Sequence, residues 1–558
     1  MNRRTLLQFT VQGAILAPAA SLLMAACSSV ASPAPTAAPA TGASPAASPA
    51  AALNGTGGTL VIGMTAGNIP YPNTPPNEGA EGSRFVGYNI YDALTRLNVE
   101  QGNTTPVPSP GLAESWKTDN DNLTWTFQLR KGVKFHDGTD FNADAVVFQL
   151  NRLTKKDFAF FDPLQAAATA SFTMMIDTYQ AVDPQSIQIK TKSPYSFLLW
   201  DLLLVMIPSP TAVQKYGTKD YVNHPIGTGP FFVTKYVDGQ IMELAPNPTY
   251  WRGKAKLDKM ILRPMPDPAS RLAALQSGDI NWAEVPPPDS LAQLKTQGYN
   301  ILLKTYPHSI VLDYNLSKPP FNNVKARVAL QYAIDRNRMC NDLLDKACSP
   351  AYQWMYTGHP WYDPTVGDKY QYNPAKAKQL LTEAGYPNGF KINVAYPTGG
   401  SGNMWPGPMM ELVQSNFKDV GVTMTMAPLE WNDILTIYRA GFATPENQKY
   451  DAMYFSPNTS TPPSLLGFAT SRIQPNGCCN VTGYSNPKVD ALFQKAESEF
   501  DTKKQDALLQ QAMGLVTDDS PVAFVVHDLN LRVLSPKVNG FIQPMSWYCD
   551  FLNVWVSK

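Results

Sequence analysis

Residues 1–57 cannot contribute to a folded core, and this divides the chain before any other feature is considered. Arg3 and Arg4 precede an apolar stretch from Val11 to Ala26 that contains Gln12, Gly13 and Pro18. A membrane-spanning helix needs roughly 20 apolar residues, so this shorter run reads as a secretory signal rather than a permanent span. The paired arginines fit a twin-arginine export signal, with an ordinary signal carrying two basic residues as the alternative. Residues 28–57 follow, built almost entirely of Ala, Pro, Ser, Thr and Gly. Such a composition buries too little apolar surface to fold, and its prolines keep it extended. It reads as a disordered tether that holds a folded body off a membrane.

The apolar run ends in Met24-Ala25-Ala26-Cys27. This resembles the lipobox of bacterial lipoproteins, with Met where Leu is usual. The resemblance implies that, within the signal and lipobox at 1–27, residues 1–26 are removed and Cys27, its thiol carrying lipid, becomes the new N-terminus. The remaining chain offers no other span: its best stretch, Phe197 to Ile207, is too short and contains Asp201. The expected location is extracytoplasmic, anchored to the cell membrane through lipid on Cys27.

Roughly 500 residues remain, too many for one core. The 45 basic and 45 acidic residues balance, so no strong field draws the protein to nucleic acid. Beyond Cys27 stand Cys340, Cys348, Cys478, Cys479 and Cys549. Disulfides are permitted outside the cell, and an odd count leaves at least one thiol unpaired within a monomer. Cys340 and Cys348 are the preferred pair, since both fall at the end of one helix and its following loop; buried free thiols are the alternative.

Apolar periodicity and turn signals predict the elements. Strands are expected over 59–63, 123–129 and 186–190. Helices are expected over 85–97, 142–153 with Asn142 as N-cap, 269–277 ended by Gly278, 324–344, 374–384, 487–499 and 503–516. Ile226-Gly-Thr-Gly-Pro230 reads as a tight loop between strands. Strands and helices mix throughout, which makes the fold class α/β.

Ordered landmarks carry a resemblance. They are Pro110-Gly-Leu-Ala-Glu-Ser-Trp116, Leu129-Arg-Lys-Gly-Val-Lys-Phe-His-Asp-Gly138, Gly227-Thr-Gly-Pro-Phe231, Asn247-Pro-Thr-Tyr-Trp-Arg-Gly253, Leu275-Gln-Ser-Gly-Asp279, Pro320-Phe321 leading into Arg327–Arg336, Ala377–Tyr386 and Gly483-Tyr-Ser-Asn-Pro-Lys-Val-Asp490. Together they resemble the extracytoplasmic solute-binding proteins that serve peptide and nickel ABC transporters, over essentially everything after Gly58. The resemblance implies a two-lobed, periplasmic-binding-protein-like fold with a hinge. The first lobe would comprise 58–100, 200–305 and 524–558, with a subdomain at 101–199, and the second lobe 306–523. It further implies a monomer that closes on a small solute, whether peptide-like, oligosaccharide or another compound, and delivers it to permease subunits.

No catalytic constellation is visible, so no enzyme activity is expected; a secreted, lipid-anchored hydrolase is the alternative. The histidines His136, His224, His308, His359 and His527 lack zinc-ligand spacing, and no metal or other cofactor is expected. Gly400-Ser401-Gly402 is followed by Asn403 where a nucleophile elbow needs glycine. The resemblance aligns Phe455 with a tryptophan and Asn458 with an aspartate that, in peptide binders, pairs with the peptide's amino terminus. Asn458 offers a neutral amide instead, which shifts weight toward an uncharged solute. Tyr306 and His308 fall near the hinge crossing. Trp405, in the Gly-rich loop 398–407, and Trp431 complete the candidate ligand contacts, while Trp116, Trp125 and Trp251 read as core. The loop 68–81 is a further candidate.

Overall fold

The computed structural model describes residues 55–77, 79–469 and 479–558. The signal, Cys27, the tether up to residue 54, and Cys478 lie outside the described residues. The folded body begins a little earlier than expected. The Gly57 amide donates to the Lys256 carbonyl (2.6 Å) and its carbonyl accepts from the Val556 amide (3.0 Å), so residues 55–57 are docked and not tether.

Two large sheets organise the chain. The first has seven strands in the order Asn300–Leu302, Arg532–Leu534, Trp282–Glu284, Thr59–Met64, Lys259–Pro264, Ile241–Pro246 and Phe231–Val237. Thr59–Met64 runs parallel to both of its neighbours and the remaining pairings are antiparallel. The second sheet has six strands: Cys348–Pro350, Val522–Asp528, Ser309–Tyr314, Ala452–Phe455, Lys391–Pro397 and Thr423–Leu429. Ser309–Tyr314 lies inside it and every residue of that strand is buried. A separate four-stranded antiparallel sheet orders Ala113–Thr118, Thr124–Leu129, Ser186–Thr191 and Ile176–Asp183.

The chain passes from the first sheet to the second between Leu302 and Ser309, and returns between Asp528 and Arg532. The two crossings are tied side by side: the Lys304 amide donates to the Leu529 carbonyl at 2.7 Å, and the Asp528 amide to the His308 carbonyl at 3.1 Å. Because Val522–Asp528 belongs to the second sheet throughout, a boundary at 523/524 falls inside a strand, and the chain leaves that sheet only after Asp528.

Local sequence explains much of this. The Asn142 side chain accepts from the Ala145 amide and starts the helix Ala143–Thr154. Gly278 adopts the left-handed conformation that ends Pro268–Ser277. In Gly227-Thr-Gly229 a Cβ would lie 2.0 Å from the Ile90 carbonyl oxygen at Gly227 and 2.6 Å from that of Asn89 at Gly229, so the close approach requires glycine. This loop joins the 3-10 turn Tyr221–Asn223 to a strand instead of joining two strands. Phe197 to Ile207 forms only the short helix Leu198–Asp201, and no helix among the described residues is long and apolar enough to cross a membrane.

Two expected helices come out differently. Residues 80–90 form three short helical segments with a π-turn at Ser83–Gly87, and Thr95–Leu97 is a strand. The expected 324–344 helix breaks after Ala333, where Ile334 turns extended and the Asp335 side chain caps Arg336–Arg338. Cys340 and Cys348 form a disulfide just beyond this break.

Candidate functional site

Loop 398–407 connects the strand Lys391–Pro397 to the helix Pro406–Asp419, and its successive residues touch the second sheet at Tyr454, the crossing at His308, and Glu81 and Trp547. A Cβ at Gly400 would lie 2.8 Å from Trp431 Cγ. The Ser401 hydroxyl donates to Glu81 Oε2 at 2.6 Å, linking the second lobe to the first. Gly402, at φ 73°, packs against the His308 and Trp547 rings, with its would-be Cβ 3.0 Å from His308 Cε1 and 3.3 Å from Trp547 Cη2. Asn403 accepts from the Ser456 hydroxyl at 2.8 Å, and its backbone carbonyl accepts from the Tyr454 hydroxyl at 2.6 Å. Any side chain at Gly402 would push into both rings, so this glycine admits the close contact.

The hinge side of the seam is aromatic. Tyr306, His308 and Trp547 stack on one another with centroids 5.1–6.0 Å apart. The Tyr306 hydroxyl donates to Asp528 Oδ2 at 2.5 Å, and His308 Nε2–H donates to the Ser456 carbonyl at 3.2 Å. Burial, with the Asp528 carboxylate beside it, drives the Tyr306 hydroxyl well above its ordinary range, so it stays a donor. His308 also bridges to Asn458 through the backbone. The Asn458 amide oxygen turns back on its own chain, accepting from the Ser460 amide (3.1 Å) and hydroxyl (2.5 Å).

The first lobe supplies a buried ion network. Arg84 Nη2 donates to Glu81 Oε2 and to Glu284 Oε2, both at 2.5 Å. Its guanidinium lies 4.1 Å from the ring centroids of Phe85 and of Trp547. Glu284 also accepts from Trp282 Nε1 (2.9 Å) and faces Arg532 Nε at 3.3 Å. Burial raises the Glu81 carboxyl. It acts on Glu284 too, but there Arg84 and Arg532 win and hold the carboxylate below its ordinary range.

The structure therefore brings Tyr306, His308 and Asn458 together, with Trp431 and Phe455 alongside. Phe455 stacks on Trp431 at 5.7 Å and on Tyr438 at 4.0 Å. It does not bring Trp405 there: that indole packs against the second lobe's own core cluster. The loop reaches the seam through the backbone of its glycines and the hydroxyl of Ser401, while Trp405 is half-buried against the core cluster. Sequence reasoning missed Arg84, Trp547 and Asp528. The available signals were Arg84 beside the apolar pair Phe85-Val86, and an aromatic pair, Trp547-Tyr548, in the proline-marked C-terminal segment.

The profile of the bacterial extracellular solute-binding proteins, family 5 Middle, matches residues 107–474. The chain belongs to this family. Among relatives of this family 5 protein, heme-binding protein A of Haemophilus influenzae is 30% identical over 491 residues, covering 84% of this chain and 87% of the relative. The dipeptide-binding protein of Escherichia coli is 28% identical over 512 residues, covering 87% and 94%. The solved ABC transporter-associated periplasmic binding protein DppA from Helicobacter pylori, in complex with the peptide STSA, matches with a TM-score of 0.77 at 25% identity, covering 90% of this chain and 99% of its own. The chain is thus an extracytoplasmic solute-binding protein with the family's two-lobed α/β fold. The relatives are binding proteins, and none supports the hydrolase alternative. Among the described residues no group of three or more His, Cys, Asp and Glu is placed to hold a metal ion.

Proposed function

We propose that this protein captures a small solute in the seam between its lobes, performs no chemistry on it, and delivers it to the permease of an ABC importer. In this reading it works as a monomer tethered by lipid on Cys27. The observation that carries the proposal is loop 398–407, a second-lobe element bonded through Ser401 to Glu81 of the first lobe and packed through Gly402 on the hinge aromatics. A solute touching both sides stabilises the closed form by its differential affinity for it, and the permease then distinguishes loaded from empty protein. Tyr306, His308, Trp431, Phe455 and Asn458 would contact the solute, the two lobes turning about the crossings at 303–308 and 529–531.

Asn458 sets a limit on the solute. A buried ammonium without a counter-charge loses several kcal/mol of solvation, and the Asn458 amide supplies none. The solute is therefore held without an amino-terminal ion pair at this position. Calorimetry with trialanine and N-acetyl-trialanine checks this: tight binding of the free amine, lost on acetylation, would refute it.

The experiment for the function as a whole is to purify the protein gently, unfold it to release retained solute, and refold it. Adding the released fraction back should shrink the radius of gyration in small-angle scattering and leave the solute's mass unchanged. No compaction, or conversion of the solute to a product, would overturn the reading. For the anchor, Cys27→Ser should move the protein from the membrane fraction to the soluble one.

A further inference from the structure

We infer that the solute carries a carboxylate, and that Arg84 and Trp547 receive it. The inference rests on the solute-binding reading above and names the chemical class that this seam selects.

Arg84 has five N–H donors and only Nη2 uses any of them. Nε and Nη1 are buried and make no hydrogen bond. The indole Nε1–H of Trp547, whose ring lies against the same guanidinium, is likewise buried and unpaired. Buried donors are nearly always matched, so a cluster of unmatched ones is a feature to be explained. One acceptor, Glu81 Oε1, is also unmatched in this network. The imbalance is thus on the donor side, and a group that satisfies it must bring acceptors.

The placement is as informative as the count. Glu81 and Arg84 are 1% and 0% exposed, and they come from the first lobe. From the second lobe, Ser401 of the loop 398–407 bonds Glu81, and Gly402 packs on Trp547, the ring that lies against the guanidinium. Opening the lobes would break both contacts and turn this cluster toward the cleft. Trp547 is fixed in turn: its carbonyl accepts from Arg532 Nη2 at 3.3 Å, and its ring is stacked on His308 and Tyr306. The two donors are therefore rigid, adjacent and sited on the interlobe face.

Arg84, Arg271 and Arg532 face three carboxylates, Glu81, Glu284 and Asp267, and Arg84 bonds only Glu81 and Glu284, through Nη2. Asp528, the next buried acid, is engaged by the Tyr306 hydroxyl and the Asn530 amide. Burial also raises Glu81, which favours its neutral form. A planar carboxylate matches the guanidinium fork in shape and charge, and charge-assisted hydrogen bonds of this kind are the stronger ones. A neutral hydroxyl offers one oxygen and no charge to the same donors. The uncharged solute expected from Asn458 alone thereby gives way to one that needs no amine partner and presents an acid.

The test uses the full chain, stripped of solute by unfolding and refolding, with matched acids and amides as probes: N-acetyl-trialanine and its C-terminal amide, gluconate and gluconamide. Calorimetry should show at least one acid binding about 100-fold more tightly than its amide. Arg84→Gln should abolish that preference. Trp547→Phe, which keeps the stacked ring and removes the N–H, should weaken the acid about tenfold and leave the amide unchanged; it also serves where Arg84→Gln fails to fold. Equal binding of an acid and its amide, a preference that survives in Arg84→Gln or is untouched in Trp547→Phe, or no binding by either acid overturns the proposal. If the fraction released from the native protein still compacts it in any of those cases, solute binding stands and only the carboxylate falls.

Discussion

Arg336 and Arg84 are both fully enclosed, yet they are bonded in opposite ways. Arg336 sits beside the second sheet and spends its donors on fixed acceptors: Nε on the Phe524 carbonyl (3.0 Å), Nη1 on the carbonyls of Gln331, Ile334 and Tyr370 (2.9–3.3 Å), and Nη2 on Gln331 Oε1 (2.8 Å). The carbonyls of Gln331 and Ile334 are free to accept because the helix breaks there. Arg84 sits at the seam between lobes, bonded through one nitrogen to two side chains, with Nε and Nη1 unused. An arginine that spends every nitrogen on fixed neighbours within its own lobe holds a fold together. One that faces a second lobe with donors to spare is built to receive something else.

The largest expected effect separates the two. Arg336→Met strands buried carbonyls and should cost roughly 3–5 kcal/mol of stability. Arg84→Met should cost less, about 1–2 kcal/mol, because Glu284 keeps Arg532 and Trp282, and Glu81 is already inclined to hold a proton. Urea unfolding of both variants checks the ranking, and equal losses would break the comparison.

A second contrast lies within the second sheet. Asp313 is buried on Ser309–Tyr314, its Oδ2 has no partner, and burial alone pushes its carboxyl up to about 8. An acid raised in the folded state costs nothing below its unfolded value of 3.8, and its penalty grows as pH rises toward 8. Asp313→Asn should therefore stabilise the protein, by about 3 kcal/mol more at pH 7.5 than at pH 5. Thermal unfolding at both values measures this. A gain independent of pH would mean that the carboxyl is not held protonated.

These contrasts mark what the sequence could and could not convey. Periodicity and end signals located Thr59–Met64, the Asn142 cap and the Gly278 stop because each is decided within a few residues. The break at Ile334 was hidden because apolar spacing runs on through it, and the cause is Asp335 capping a new turn while Arg336 takes the freed carbonyls. At the site, Tyr306 and His308 were legible from their place at the crossing, and loop 398–407 from its glycines. That the half-buried Trp405 ring packs on the second lobe's core cluster was not legible, because an aromatic among glycines gives no sign of which way its ring turns. Arg84 and Trp547 meet only through tertiary contact, from opposite ends of the chain, and no local pattern joins them.

The smallest expected effect probes the contact that makes Arg84 a seam residue. Ser401 donates to Glu81 at 2.6 Å with both residues buried, and the bond exists only while the lobes are together. Removing the hydroxyl leaves the fold of each lobe untouched, since loop 398–407 keeps its Asn403 bonds to Ser456 and Tyr454. A single hydrogen bond of this kind is worth about 1 kcal/mol net, which is roughly a fivefold change in the closed-to-open ratio. Ser401→Ala should therefore leave the urea midpoint almost unchanged, weaken apparent affinity for the released solute about fivefold, and enlarge the solute-free radius of gyration. Affinity and dimensions identical to wild type would show that the Ser401–Glu81 bond contributes nothing to closure, and Arg84 would then differ from Arg336 in its bonding without differing in its role.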